Sequence, residues 1–289
     1  VTTVEEVKIT AADGCELAAT TFAPQTESGM LLNISVLISS ATGAPRGYYA
    51  RFARFMANNG IFVTTYDYRG MFDSQRMKAE DDPATMSDWG EKDVAAVLEW
   101  LAKIHPGNKI VAVGHSIGGT LIGLAGNNHL IAKAVNVATP SGYWRHWSGL
   151  RKYERFLDWY FLMPLVVSCC GYLPARFAGG ALPKGVALEW ARWGRYLDFV
   201  VDERGKPMHD GFLRFVSPMF FYSFTDDHFA PPAAVDAMRR LYARAPITHR
   251  IISPSDWSMR SIGHFGFFRQ SAPETVWREV LQWIIASGQ

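Results

Sequence analysis

The chain has 289 residues, 48% hydrophobic and 19% charged, enough apolar mass for one large α/β domain, with or without an insertion, and too little charge for a disordered chain. Twenty-nine Lys and Arg against 27 Asp and Glu leave a formal charge of +2, so no global field points to nucleic acid or an acidic surface. Cys15 and the adjacent pair Cys169-Cys170 make neither a disulfide framework nor a metal-type spacing; they read as reduced, semi-buried thiols of a cytoplasmic protein.

The first residues, Val1 to Glu6, show no charged-then-apolar leader pattern. Val4–Ile9 and Cys15–Phe22 predict a hairpin around Asp13-Gly14, a dipeptide that tolerates positive φ. Ile34–Ile38 is a continuous apolar run, as expected of a strand buried on both faces. A Gly/Pro loop follows, then a helix around Phe52, Phe55 and Met56 that Gly60 can stop. Strand and helix then alternate: a strand over 61–66; a helix capped by Ser87 or Asp88 with Val94, Val97, Leu98 and Leu101 as its apolar face; a strand over 109–113; a helix from 117 to about 127; a strand over 133–138. Such alternation predicts a parallel sheet with right-handed crossovers.

Regular alternation stops at Thr139-Pro140. From there to about 216 the pattern is helical, irregular and rich in aromatics, including Trp144, Trp147, Trp159, Trp190 and Trp193. Its most apolar window, Trp159–Cys170, is too short to span a bilayer and is broken by Pro164. A small basic patch, Arg145, Arg151, Lys152 and Arg155, reads as a solvated helix face, with an anionic ligand or lipid headgroup as the alternative. Order returns with a strand over 219–224, a helix near 233–243, a strand over 247–253 and a closing helix over about 273–286.

Gly114-His115-Ser116-Ile117-Gly118 is a weak motif alone. Here a strand runs straight into it and a small-residue helix leaves it, which is the context a nucleophile elbow requires. A serine hydroxyl needs a base within hydrogen-bond reach and a carboxylate to orient that base. Its oxyanion needs two backbone donors.

The elbow, with Asp67-Tyr68-Arg69-Gly70…Ser74 after the preceding strand, resembles the α/β-hydrolase superfamily, near bacterial hydrolases of the serine-aminopeptidase and monoacylglycerol-lipase-like branch. Phe72 stands where that signature usually has a second glycine. The resemblance implies a mostly parallel eight-stranded sheet with helices on both faces, a core of residues 1–139 and 217–289, and a helical cap over 140–216. Its order of serine, acid, histidine places the base at His264 and the acid at Asp227, four residues before Pro231, with Asp226 as the alternative. His115, inside the elbow, reads as structural. His228 comes early for the base, and Asp256 lies too close to His264 for the acid. The amide of Ile117 is the first expected oxyanion donor; the second comes from the 40–43 loop, where Ser40-Ala41 replaces the family's usual His-Gly and leaves Ala41 and Thr42 as alternatives, Thr42 preferred.

Trp144, Trp147, Trp159, Phe161 and Leu162 are the candidate lining of an apolar substrate pocket. The expected activity is hydrolysis of a small apolar ester without metal or other cofactor and with no nucleic-acid partner. Acyl transfer or peptide cleavage on the same three residues, and a non-enzymatic binding protein on the same scaffold, are the alternatives; Glu154, Asp158 and Glu189 are the carboxylates a peptidase could use. An aspartate in place of Ser116, as haloalkane dehalogenation needs, is absent.

Overall fold

The computed structural model of the protein describes residues 2–24, 31–270 and 272–286. Its first strands, β1 (Thr3–Thr10) and β2 (Glu16–Ala23), form the expected antiparallel hairpin, with Gly14 at φ 83° in the turn. β3 (Ile34–Ser39) is buried at all six positions, as its unbroken apolar run requires. Then come α1 (Ala50–Asn58), β4 (Phe62–Tyr66) and α2 (residues 86–104), whose second turn is widened into a π-turn at Trp89–Val94. β5 (Lys109–His115), α3 (Ile117–Leu124) and β6 (Ile131–Val137) complete the first half of the sheet.

Between β6 and β7 the chain is helical: α4 (residues 151–170, with a π-turn at Asp158–Leu162), α5 (Ala175–Ala178), α6 (Lys184–Arg195) and α7 (Asp210–Arg214). β7 (Met219–Phe224), α8 (Pro232–Arg239), β8 (Ile247–Ile252) and α9 (Glu274–Ile285) close the fold. The eight strands lie in the order β1-β2-β4-β3-β5-β6-β7-β8, antiparallel across β1-β2-β4 and parallel from β4 to β8. β3, β5 and β6 are therefore central, and their carboxyl ends share one edge of the sheet. Helices cover both faces.

Two local expectations change. The cap of α2 is Thr85, not Ser87 or Asp88: its hydroxyl accepts from the Asp88 amide while the Asp88 carboxylate accepts from the Thr85 amide. Ser87 instead donates its hydroxyl to the buried Glu189 carboxylate on α6. Cys169 and Cys170, expected half-buried, are exposed, and only Cys15 is partly covered. Phe72 occupies the left-handed region at φ 44°, so it holds by strain the conformation a glycine would adopt freely.

The Asp67–Ser74 segment ties the loops on this edge together. Asp67 accepts from the Arg46 amide and guanidinium, Arg69 binds Asp93 and Asp13, and Ser74 bridges the Asp67 carbonyl and the Ala18 amide. No helix among the described residues is long and apolar enough to cross a membrane.

Candidate active site

β5 ends at His115 and α3 begins at Ile117, which leaves Ser116 alone to make the turn. Its φ of 54° and ψ of −122° lie where a side-chain-bearing residue costs about 1–3 kcal/mol. Two glycines make room for this. A Cβ on Gly118 would stand 2.1 Å from the Ser39 carbonyl oxygen, and one on Gly114 would stand 2.4 Å from Gly119 Cα. The Ser116 amide donates to Val137 O at 3.0 Å, which fastens the turn to β6. The first amides of α3, beginning with Ile117, have no acceptor within the helix and concentrate its positive end beside the serine.

The loop after β3 approaches the same point. Its Ser40 and Ala41 are buried. The Ala41 amide donates to the Tyr49 hydroxyl at 2.8 Å, and the Tyr68 hydroxyl donates to the Ser40 carbonyl at 3.0 Å.

The acid and the histidine come from loops after β7 and before α9. His264 Nδ1 donates to Asp227 Oδ2 at 2.8 Å; both residues are buried. Asp227 Oδ1 accepts from the amides of Phe229 and Ala230 at 2.8 and 2.9 Å. Burial alone would push this carboxyl up, but His264 and the two amides outweigh it and lower its pKa. Asp226 works next door without touching the histidine ring: its carboxylate accepts from the amides of Ile262 and Gly263 at 2.8 and 3.0 Å, holding the loop that carries His264. His228 is exposed and contributes only its carbonyl, to the Trp147 indole at 2.9 Å. Asp256 caps the turn at Ser253.

His115 is fully buried behind the elbow. Its Nδ1 lies 2.9 Å from the Tyr49 hydroxyl and its Nε2 2.8 Å from the His264 carbonyl oxygen. Burial lowers its pKa to about 3, so its ring is neutral.

A cavity of about 480 Å³ opens above these groups, and Thr42, Ser116, Ile117 and His264 all line it. Of the five side chains expected in its wall, Trp147, Trp159 and Leu162 are there. Trp144 and Phe161 are not: Trp144 packs edge-on against Phe156, and Phe161 points outward at 58% exposure. The π-turn at Asp158–Leu162 shifts the register of α4, so no single helical period assigns its aromatics to the inner face. Trp190, Phe199 and Phe229, which the sequence did not single out for this wall, also line it. Arg155 reaches the cavity from the basic patch and pairs with Asp158 at 2.8 Å. Among the described residues, no group of three His, Cys, Asp or Glu could hold a metal ion.

A model of the alpha/beta hydrolase family matches residues 36–282. The chain belongs to this family. Its fold is shared by solved hydrolases at low sequence identity. The Pyrococcus furiosus esterase Pf2001 superposes with a TM-score of 0.62 at 15% identity, over 98% of this chain and 92% of that one. The esterase domain of a Rhodothermus marinus protein gives 0.59 at 13% identity, over 97% of each chain. A Xanthomonas campestris serine hydrolase described as lacking a lid gives 0.55 at 13% identity, over 99% and 97%. None of the curated proteins matches the sequence. For this alpha/beta hydrolase, then, kinship supplies the fold and the broad hydrolase class, and the finer chemistry rests on its own side chains.

Proposed function

We propose that the protein is a carboxylesterase-like serine hydrolase, with Ser116 as nucleophile, His264 as base and Asp227 as the carboxylate that orients it. The observation that carries this reading is the buried His264–Asp227 hydrogen bond, with His264 lining the same cavity as Ser116, which sits on a strained elbow. Ser116 Oγ attacks the ester carbonyl as His264 takes its proton. The amides of Ile117 and Thr42 hold the oxyanion, and His264 returns the proton to the departing alcohol. Water, deprotonated in turn by His264, then attacks the acyl-enzyme, and His264 passes that proton to Ser116 Oγ as the bond to the serine breaks and the acid leaves. Thr42 is favoured over Ala41 because the Ala41 amide is already given to Tyr49. Asp227 is favoured over Asp226 by its bond to the ring.

Residues 140–216 act as a cap in this reading, and the core is 1–139 with 217–289. The cap's aromatic wall favours an uncharged, apolar acyl or alkyl group. Peptide cleavage has less support: Glu189 is spent on Ser87 and Arg192, Glu154 is exposed, and Asp158 is paired with Arg155. The free thiols suit a reducing cytoplasmic setting.

Labelling with a fluorophosphonate, beside a chain-length series of esters and matched arylamides, tests the proposal. Labelling lost in Ser116→Ala, with esters turned over faster than arylamides, is the expected result. Labelling that survives Ser116→Ala would overturn it.

A further inference from the structure

The proposed reaction needs three parts held in register: the Thr42 amide in the loop after β3, Ser116 at the end of β5, and His264 in the loop before α9. They lie on separate loops. One buried hydrogen-bonded chain joins the residue before Thr42, the residue before Ser116 and the backbone of His264: Ala41 N to Tyr49 Oη at 2.8 Å, Tyr49 Oη to His115 Nδ1 at 2.9 Å, and His115 Nε2 to His264 O at 2.8 Å. Tyr49 and His115 are both fully buried, so no water competes for these bonds.

The direction of the chain is set at both ends. An amide can only donate, so Tyr49 Oη accepts from Ala41; a carbonyl can only accept, so His115 Nε2 carries a proton and gives it to His264 O. A neutral imidazole has one N–H, which leaves Nδ1 as acceptor and the Tyr49 hydroxyl as its donor. Every polar atom of both side chains then has a partner, and the neutral ring places no second charge beside the imidazolium that forms on His264, whose ring centroid is 5.1 Å away.

We propose that Tyr49 and His115 are positioning residues: Tyr49 fixes the Ala41 peptide so that the next amide, of Thr42, faces the oxyanion, and His115 locks the His264 backbone to the elbow. Neither touches the substrate, and neither lines the cavity. Tyr49 sits on the short turn before α1, far in sequence from both the serine and the histidine, and it couples the electrophilic and basic halves of the site through one hydroxyl. This inference rests on the serine-hydrolase reading.

Wild-type protein is first titrated with a fluorophosphonate; absence of labelling at Ser116 means that the parent reading fails, whatever Tyr49 does. In labelling-competent protein, Tyr49→Phe, His115→Leu, His115→Gln and the double variant Tyr49→Phe/His115→Leu are compared. The readouts are kcat and KM per titrated site for a soluble short-chain ester, and inhibition by a matching trifluoromethyl ketone, whose serine-bound oxygen occupies the oxyanion position. Tyr49→Phe is expected to lower kcat about 10- to 100-fold, at or below the loss of a whole oxyanion donor. Affinity for the ketone falls by the same factor while KM stays within about threefold. The double variant loses no more than the worse single one, because a single chain is cut only once. His115→Gln, which keeps a donor and an acceptor, recovers part of the His115→Leu loss. Wild-type kcat and ketone affinity per titrated site in Tyr49→Phe would overturn the proposal, as would single losses that multiply in the double variant. Should Tyr49→Phe not fold, as judged by thermal melting, the two His115 variants carry the test: kcat and ketone affinity lowered at constant KM in His115→Leu and partly restored in His115→Gln support the proposal, and wild-type values in His115→Leu overturn it.

Discussion

Acid should destabilise this protein through His115, and the size of the effect follows from where the ring sits. The groups facing it are the Tyr49 hydroxyl, the His264 ring and carbonyl, and the Asp227 carboxylate. Desolvation is the largest influence and the His264 charge adds to it; the carbonyl bond and Asp227 oppose, leaving the pKa lowered from 6.5 to about 3. Above the unfolded value the ring is neutral in both states and contributes nothing. As pH falls below that value, the unfolded chain binds a proton that the folded protein refuses until near pH 3, so stability is withdrawn across that window. From the unfolded value of 6.5 down to pH 4 is about 2.5 units at about 1.36 kcal/mol each, or about 3 kcal/mol. That is a large share of the stability of an ordinary domain. Urea unfolding of wild type and His115→Gln at pH 8, 6, 5 and 4 measures it. The wild type's margin over the variant should shrink by about 3 kcal/mol between pH 8 and pH 4, since glutamine does not titrate. Asp93, raised to about 7 by burial against the opposing pull of Arg69, gains its proton in the same window with the opposite sign, but it does so in both proteins and cancels in the difference. Parallel pH curves would refute the claim that the fold holds His115 neutral.

The adjacent aspartates should separate cleanly. Asp227→Asn is expected to lower ester turnover per titrated site on the order of 10³- to 10⁴-fold, since the carboxylate sets the tautomer of His264. Asp226→Asn should cost about 1–2 kcal/mol in urea unfolding, through weakened bonds to two loop amides, with turnover within about tenfold of wild type; the reverse ranking would exchange their roles. Gly118→Ala should abolish fluorophosphonate labelling and lower the melting temperature, because its Cβ would meet the Ser39 carbonyl oxygen at 2.1 Å and carbon at 2.6 Å, and backbone of a central strand cannot yield. Labelling at the wild-type rate would show that the elbow has room the structure denies.

What the sequence made legible was whatever a short stretch of chain decides by itself. The apolar run at Ile34–Ile38 could only be a buried strand, and strand, Gly-x-Ser-x-Gly and helix in succession could only turn at Ser116. That Asp227 and His264 would pair was an expectation from the residue order of the family the sequence resembles. Features set by distant partners stayed hidden. Nothing near Tyr49 announces that its hydroxyl joins Ala41 to His115, and Glu189 shows its purpose only when α6 lies against Ser87. The inner and outer aromatics of the segment after β6 were mixed, because no sheet pleat fixes their alternation.

That same segment is tied to the chemistry more closely than a roof over a pocket would be. A Cβ on Gly43 would fall 1.6 Å from the Ala178 carbonyl oxygen, and one on Gly179 would fall 2.9 Å from the Gly43 carbonyl oxygen. Backbone therefore lies directly on backbone where the loop expected to supply the second oxyanion donor meets the end of α5. Gly43 and Gly179 both take positive φ, at 70° and 81°, so a side chain at either would be strained as well as crowded. The loop is held from inside by Tyr49 and from outside by Gly179. Its shape is thus set jointly by the core and by the inserted helices, and a change in the segment that shapes the pocket also reaches the loop beside Ser116.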